Sequence, residues 1–476
     1  TNQQIKGILR RGSTSKYVTP IPIASQTSSI ELDLSAHATT SACGRHKSKQ
    51  GLVSVHDAAS DAAEERKYIF SDSTPPSLNR ESQSKQDKNE IALFDSEELV
   101  LGPKLGNGEF SNVYELQSFR LNSGTDDRIS NAESTKRSQM KIMEQYRMTG
   151  KARYALKHIK ETYLPYNGPE AYIQAASDLA FEAEFLANLN HPNILKLRGL
   201  ALSGAAGFAN GPCGYFLVID RLFETLDQTI NRWHDTGTNT DEDPTTIMTR
   251  SSSMPNLVGW GDSNKMEGNK NKMMDECLSA ALQLSSAMMY LHKHSIIFRD
   301  MKPENIGFDV RGDLKIFDFG FARFMTGGDN PYNDAYKISV AGTPRYMAPE
   351  CLSGKAYNLK ADVYTFAIVL WEMLSGESAY SFVSDSDHLQ YYVVDKCGRP
   401  EIDERWPARI KGMLEDSFDA DMDARPEMKV HCHIIRKELS SLRGGDMTGL
   451  TSRDMKRRRS KGSISFIQAK LESFRV

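Results

Sequence analysis

Apolar residues alternate with polar ones at the two-residue period of strands over residues 100–159, apart from one polar break; residues 171–189 have helical spacing instead, through Leu179, Glu182, Phe185, Leu186 and Leu189. After Phe223 the strong segments are mostly helical. This order predicts an α+β fold with a strand-rich N-terminal part and a helix-rich C-terminal part. The longest apolar stretch, residues 363–374, is broken by Tyr364 and Thr365 and closed by Glu372, so it reads as a buried core helix. No apolar run reaches the roughly 18–20 residues a membrane helix needs, and no integral membrane segment is expected.

Outside this patterned region the composition changes. Residues 1–95 are rich in Ser, Thr, Gln, Asn and Lys, with short apolar runs such as Ile21-Pro22-Ile23-Ala24. Such a stretch buries too little surface to offset its ordering entropy, and disorder is expected there. Periodicity sets in near Ile91-Ala92-Leu93-Phe94 and lasts to about residue 440, leaving 441–476 as a polar, basic tail centred on Lys456-Arg457-Arg458-Arg459. Two polar insertions, residues 121–150 and 231–272, are long for connections in a compact domain and read as surface excursions or disorder. A formal net charge of -3, with 39% hydrophobic and 25% charged residues, fits a soluble globular protein and gives no electrostatic case for nucleic acid as a partner. The six cysteines include no C-x-x-C pair, so neither zinc nor a disulfide framework is indicated and reduced thiols are expected. A cytoplasmic location follows as the expectation, with the nucleus as the alternative. The chain begins at Thr1 rather than Met, which is compatible with a missing N-terminus or a removed targeting segment.

Five segments carry chemistry. Leu105-Gly106-Asn107-Gly108-Glu109-Phe110-Ser111-Asn112-Val113 places two glycines between strand-like runs, where backbone N–H groups can approach phosphates; alone, it also fits an ordinary hairpin turn. Its position ahead of Tyr154-Ala155-Leu156-Lys157 strengthens the first reading. Farther on come Ile296-Ile297-Phe298-Arg299-Asp300-Met301-Lys302-Pro303-Glu304-Asn305, then Leu314-Lys315-Ile316-Phe317-Asp318-Phe319-Gly320, then Gly342-Thr343-Pro344 running on to Ala348-Pro349-Glu350. Phosphoryl transfer needs a carboxylate near the attacking hydroxyl, oxygen ligands for magnesium, and positive charge on the phosphates. Asp300, Asn305, Asp318, Lys157 and Lys302 are the residue types for those tasks.

Taken together and in this order, these segments resemble the eukaryotic protein kinases from roughly residue 96 to residue 440. The resemblance implies a two-lobed fold, with an N-lobe over about 96–222 and a C-lobe over about 223–440, and ATP and magnesium as cofactors. It implies that Leu105, Gly106, Asn107 and Gly108 cover the nucleotide, that Lys157 contacts its α- and β-phosphates, and that Glu182 pairs with Lys157, with Glu184 as a nearby competitor. Val113 and Ala155 are expected above the adenine, Ile219 as gatekeeper, and the backbone from Asp220 to Leu222 as the hinge. Asp300 corresponds to the catalytic base, Asn305 and Asp318 to the metal ligands, and Lys302 to the cation beside the moving phosphoryl group. Lys302 and Thr343 resemble the serine/threonine enzymes, so the expected partner is a protein substrate with a Ser or Thr acceptor. Asp362 is expected beneath the catalytic loop and Glu350 opposite Arg425. Residues 361–373 and Arg399-Pro400-Glu401-Ile402 resemble the tyrosine-kinase-like branch of those enzymes.

Three positions depart from the family pattern. Ser111 replaces the third loop glycine, Phe298 stands where a histidine is usual, and Gly307 replaces the large apolar residue under the adenine. The last predicts a roomier pocket and weaker ATP binding than a Gly307→Leu variant would show. None removes a charged group, so a scaffold without catalysis is the weaker alternative, as is a protein whose tails are its main interaction modules. Arg299 beside Asp300 implies regulation by an activation-segment phosphate, with Thr326 and Ser339 as leading acceptors and Tyr332 and Tyr336 also present. Arg10-Arg11-Gly12-Ser13 and Arg458-Arg459-Ser460 offer basic residues before a serine, and the Lys456–Arg459 run reads as solvated charge or as an import signal. His431-Cys432-His433 reads as incidental rather than metal-binding. Oligomeric state is not legible.

Overall fold

The computed structural model describes residues 54–73, 91–120, 138–140, 142–144, 153–234, 263–325 and 331–444. All of these lie within one compact unit, Val53–Val476. Its N-terminal part is built on a six-stranded sheet in the order β1-β5-β6-β4-β3-β2. The strands are β1 (Ala92–Phe94), β2 (Leu99–Asn107), β3 (Ser111–Phe119), β4 (Tyr154–Ile159), β5 (Leu197–Ala201) and β6 (Phe216–Asp220). β1 runs parallel to β5; the other neighbours are antiparallel. Every residue of the central strand β4 is buried, because helix α2 (Tyr163–Asn188) packs against it. Within α2 the chain kinks at Gly168, whose φ of 84° suits glycine, and Pro169 then opens the longer helical run that the periodicity predicts.

The C-terminal part is helical, with α3 (Leu226–His234), α4 (Ser263–Lys293), α5 (Pro349–Leu352), α6 (Lys360–Ser375), α7 (Ser386–Gln390), α8 (Ala408–Ser417) and α9 (Met428–Leu442). Every residue of α6 from Lys360 to Leu374 is buried, so the apolar stretch is the core helix its pattern predicts. It stops at Gly376, in the left-handed conformation at φ 76°. A small sheet of β7 (Leu222–Thr225), β9 (Ile306–Asp309) and β10 (Leu314–Ile316) faces the N-terminal part, and β8 (Ile296–Ile297) pairs with β11 (Arg323–Phe324). No described helix is long and apolar enough to cross a membrane.

Three expectations about order need correction. The stretch 1–95 contains a 19-residue helix, α1 (Val55–Ser73), whose Ala59, Ala63 and Phe70 are buried against α2. In the first insertion, residues 138–140 and 142–144 are helical. Ile142 is buried there, and Gln139 donates to the Leu93 carbonyl at 2.5 Å. The second insertion begins inside α3 and ends inside α4, so both flanks are helical. Residues 235–262, the basic motifs at 10–13 and 456–460, and most of the C-terminal tail lie outside the described residues.

Candidate active site

The site begins with the hairpin between β2 and β3. Gly106 pairs with Val113 and Asn107 with Asn112, and the Gly108 N–H donates to the Ser111 carbonyl at 2.9 Å. A Cβ on Gly108 would stand 3.1 Å from Ser111 Oγ, so the tight turn favours glycine there. Leu105 is exposed at the rim, and Asn107 accepts from Lys104 at 2.9 Å. Lys160 ties the tip down from the end of β4: its N–H donates to Phe110 and its ammonium to the Glu109 carbonyl at 2.7 Å. The Phe110 ring turns inward, 5.9 Å from Lys157 Nζ, a contact the sequence reading missed.

Lys157 and Glu182 meet at 2.5 Å in a buried ion pair. Glu184 points elsewhere, 4.0 Å from Lys67 of α1, so spacing chose the right glutamate. Burial alone favours a neutral amine, but attraction to Glu182 and then Asp318 outweighs it and raises the Lys157 pKa, keeping the ammonium. Val113 lies opposite Lys157, and Ala155 opposite Ile219. Opposed residues, and alternate residues along a strand, share a sheet face, so Val113, Ala155, Lys157 and Ile219 project to one side. At the end of β6 the Asp220 carboxylate is held by Arg198 at 2.7 and 3.0 Å. The Asp220 and Arg221 amides donate to the carbonyls of Lys196 and Arg153, and Leu222 opens β7.

Across from this face, Asp300 is buried and surrounded. Its Oδ1 accepts from the Thr343 N–H at 3.0 Å and the Thr343 hydroxyl at 2.8 Å. Its Oδ2 accepts from Asn305 at 2.7 Å and lies 3.1 Å from Lys302 Nζ, which also donates to Thr343 Oγ1 at 3.0 Å. Gly342 makes this approach possible: at φ 115°, a Cβ there would sit 2.4 Å from the Arg299 carbonyl oxygen. Arg299 and Asp318 hold left-handed backbone conformations, φ 71° and 66°, which cost non-glycine residues energy and persist only where the surroundings fix them. Asp362 supplies that fixation for Arg299, accepting its N–H at 3.0 Å, the Phe298 N–H at 2.9 Å and His292 Nε2 at 3.0 Å. Phe298 packs edge-on to Phe319 at 5.2 Å, so an aromatic in the usual histidine place does fill the space under Phe319. Glu350 and Arg425 form the expected buried bidentate pair at 2.7 and 2.8 Å.

Asn305 uses its amide N–H groups on the Asp300 backbone and side chain, leaving its side-chain oxygen as an acceptor. Its oxygen and the Asp318 carboxylate are donors of the kind that suits a hard divalent cation. The roomier pocket expected at Gly307 is not found. A Cβ at this position would meet both Leu222 Cδ1 and the Glu224 carbonyl at 3.0 Å, so Leu222 already occupies the space a larger residue would take.

The activation segment is held through Arg299, which donates from Nε to Phe321 O at 2.6 Å and from Nη1 to Ser339 O at 3.0 Å. Its buried Nη2 has no hydrogen-bond partner among the described residues. Arg323 stands in the same basic neighbourhood; burial first, then Arg299 and Arg66, push its pKa down to about 10. Its signal was its place three residues after Gly320. Ser339 is exposed, whereas Thr326 lies outside the described residues. His431 is buried, bonded to Ser417, and burial lowers its pKa to about 4; no group of three or more His, Cys, Asp and Glu side chains placed to hold a metal occurs among the described residues.

Residues 257–434 match the model of the protein kinase domain, a family that uses ATP and a divalent metal. The chain is 38% identical over 149 residues to the serine/threonine-protein kinase STY17 of Arabidopsis thaliana, covering 31% of this chain and 25% of that protein. It is 33% identical over 165 residues to a putative mitogen-activated protein kinase kinase kinase 7-like of Drosophila melanogaster, 33% of this chain and 40% of the other. A probable serine/threonine-protein kinase of Dictyostelium discoideum is 27% identical over 262 residues, 55% of this chain and 13% of the other. The chain thus spans well under half the length of these curated relatives.

Proposed function

We propose that this chain, which belongs to the eukaryotic protein kinases of the serine/threonine type, transfers the γ-phosphate of ATP to Ser and Thr hydroxyls of other proteins. The observation that carries the reading is the Asp300 cluster. A buried carboxylate, fixed on both oxygens by Thr343 and Asn305 and flanked by the Lys302 ammonium, is built to orient a hydroxyl and take its proton. Lys302, on that face of the site, neutralises charge developing on the moving phosphoryl group. Lys157, kept charged by Glu182, holds the α- and β-phosphates, and the backbone of Gly106 and Gly108 covers them from above. Val113 and Ala155 lie over the adenine, and the hinge from Asp220 to Leu222 meets its edge. A divalent ion, proposed as magnesium, would be held by Asn305 and Asp318 and would supply charge neutralisation between the phosphates.

The Lys302–Thr343 bond favours Ser and Thr as acceptors, and the resemblance to the tyrosine-kinase-like branch supports a role in intracellular signalling in the cytoplasm. Regulation by a phosphate on the activation segment is inferred from Arg299, whose Nη1 donates to the Ser339 carbonyl and whose Nη2 has no partner among the described residues, in a neighbourhood that also holds Arg323. A scaffold without catalysis is disfavoured because no charged group of the set is missing. The acceptor assignment is tested by incubating the chain with ATP and a degenerate peptide library containing Ser, Thr and Tyr. Label on Ser and Thr supports it; label confined to Tyr overturns it. Ala at both Thr326 and Ser339 tests the regulatory part, which fails if full activity survives preincubation with ATP.

A further inference from the structure

Five consecutive residues of α2, from Leu179 through Glu182 to Ala183, are all buried. A helix lying on a sheet alone buries one stripe, so α2 is covered from a second side, and α1 lies on it. Ala59 and Ala63, one turn apart and both fully buried, allow close approach of the two helices. The contact runs along α2 from Tyr172 to Phe185. His56 meets the Tyr172 ring edge-on at 5.3 Å, and the Arg66 guanidinium sits 4.2 Å from the Phe181 ring centre. Ser60 anchors α1 a second time, donating to the Ala205 carbonyl at 3.2 Å.

Phe70 is the far end of this contact. Its ring lies edge-on to Phe181 at 5.8 Å, Phe185 at 5.0 Å and Phe324 at 5.3 Å. Phe181 and Phe185 bracket Glu182 on α2. Phe185 in turn stacks on Phe319 at 5.7 Å, next to Asp318, and on Phe324 at 5.2 Å, at the start of the activation segment. One side chain from outside the kinase-like region therefore touches both neighbours of the Lys157 partner and the strand that follows Asp318.

We propose that α1 is a positioning element for phosphoryl transfer: Phe70 seats α2 in the register at which Glu182 meets Lys157. The inference rests on the kinase reading for its effect on rate, though not for its effect on α2. Displacement of α2 by an ångström at the phosphate-binding lysine lowers catalysis on the order of 10²-fold.

The test uses the full chain as wild type, Phe70→Ala, Phe70→Leu, Glu182→Gln and the Phe70→Ala/Glu182→Gln double variant. Amide hydrogen exchange across α2 is read alongside kcat and KM for ATP. Phe70→Ala is expected to lose protection in α2 and about 10²-fold in kcat/KM. Phe70→Leu, which keeps an apolar side chain and guards against a folding defect, restores most of both. The double variant is expected to be no slower than Glu182→Gln alone, because Phe70 acts through that pair. Unchanged exchange in α2, or losses that multiply in the double variant, overturn the proposal. A wild type that transfers no phosphate defeats the kinase reading alone, and the exchange measurement still decides whether α1 holds α2.

Discussion

Thr343→Val is the sharpest perturbation of the Asp300 cluster. Valine keeps the shape of threonine and the backbone N–H that donates to Asp300 at 3.0 Å. It removes the hydroxyl that donates to Asp300 at 2.8 Å and accepts from Lys302 at 3.0 Å. Neither charged neighbour is orphaned, since Asn305 still bonds Asp300 at 2.7 Å and Lys302 stays 3.1 Å from it. The loss is therefore that of a charge-assisted hydrogen bond, about 1.5–3 kcal/mol, without the penalty for a bare buried charge. Expressed fully in the transition state, this lowers kcat about 10- to 160-fold. KM for ATP should hardly move, because Thr343 serves the acceptor side of the site. Steady-state transfer to a Ser peptide, with Thr343→Ser as control, reads the effect. Thr343→Ser keeps the hydroxyl and should stay close to wild type. A Thr343→Val enzyme within twofold of wild type, or a Thr343→Ser enzyme as slow as Thr343→Val, refutes the reasoning.

Other outcomes follow from burial and packing. Arg425→Met leaves the Glu350 carboxylate buried without its bidentate partner and should destabilise the fold by about 3–5 kcal/mol in urea unfolding; adding Glu350→Gln should recover part of that loss. Burial raises the Glu372 pKa to about 7, against the opposing bonds from the Ala379 N–H and the Tyr346 hydroxyl. A carboxyl raised above its unfolded value binds more protons when folded, so this contribution to stability falls as pH rises from about 4.5 through about 7. Glu372→Gln should flatten that part of the pH–stability curve, by up to roughly 3 kcal/mol; parallel curves would show that the group does not titrate there. Gly307→Leu must displace Leu222 or the Glu224 carbonyl, and overpacking of this kind costs about 1–3 kcal/mol. ATP should bind the variant more weakly than wild type in a direct titration, and tighter binding would contradict the packing argument.

What the sequence made legible is what short spacing encodes. Asp300, Lys302, Asn305 and Asp318 lie close along the chain, and the fold joins Asn305 to Asp300 and brings Thr343 to Asp300 and Lys302 as their residue types suggest. Glu182 could be chosen over Glu184 from its spacing to His191-Pro192, and a helix then points the two side chains in different directions. The buried run of α6 announced itself because nearly every residue in it is apolar or packed. Helix α1 did not, because its buried face includes two alanines and one phenylalanine spread over three turns of an otherwise polar segment. Its order comes from α2, a partner far along the chain that no local pattern reports. The filled space at Gly307 was hidden for the same reason: Leu222 reaches it across a strand pairing, and sequence spacing says nothing about that rotamer.

The central claim is that the charged set around Asp300 and Asp318 moves a phosphoryl group. Transfer of γ-labelled phosphate from Mg·ATP to a Ser/Thr peptide library, wild type beside Asp318→Asn, tests it most directly. The wild type is expected to transfer the label and the variant, still folded, to have lost that activity. Equal transfer by both, or none by a wild type already phosphorylated on its activation segment, would contradict it.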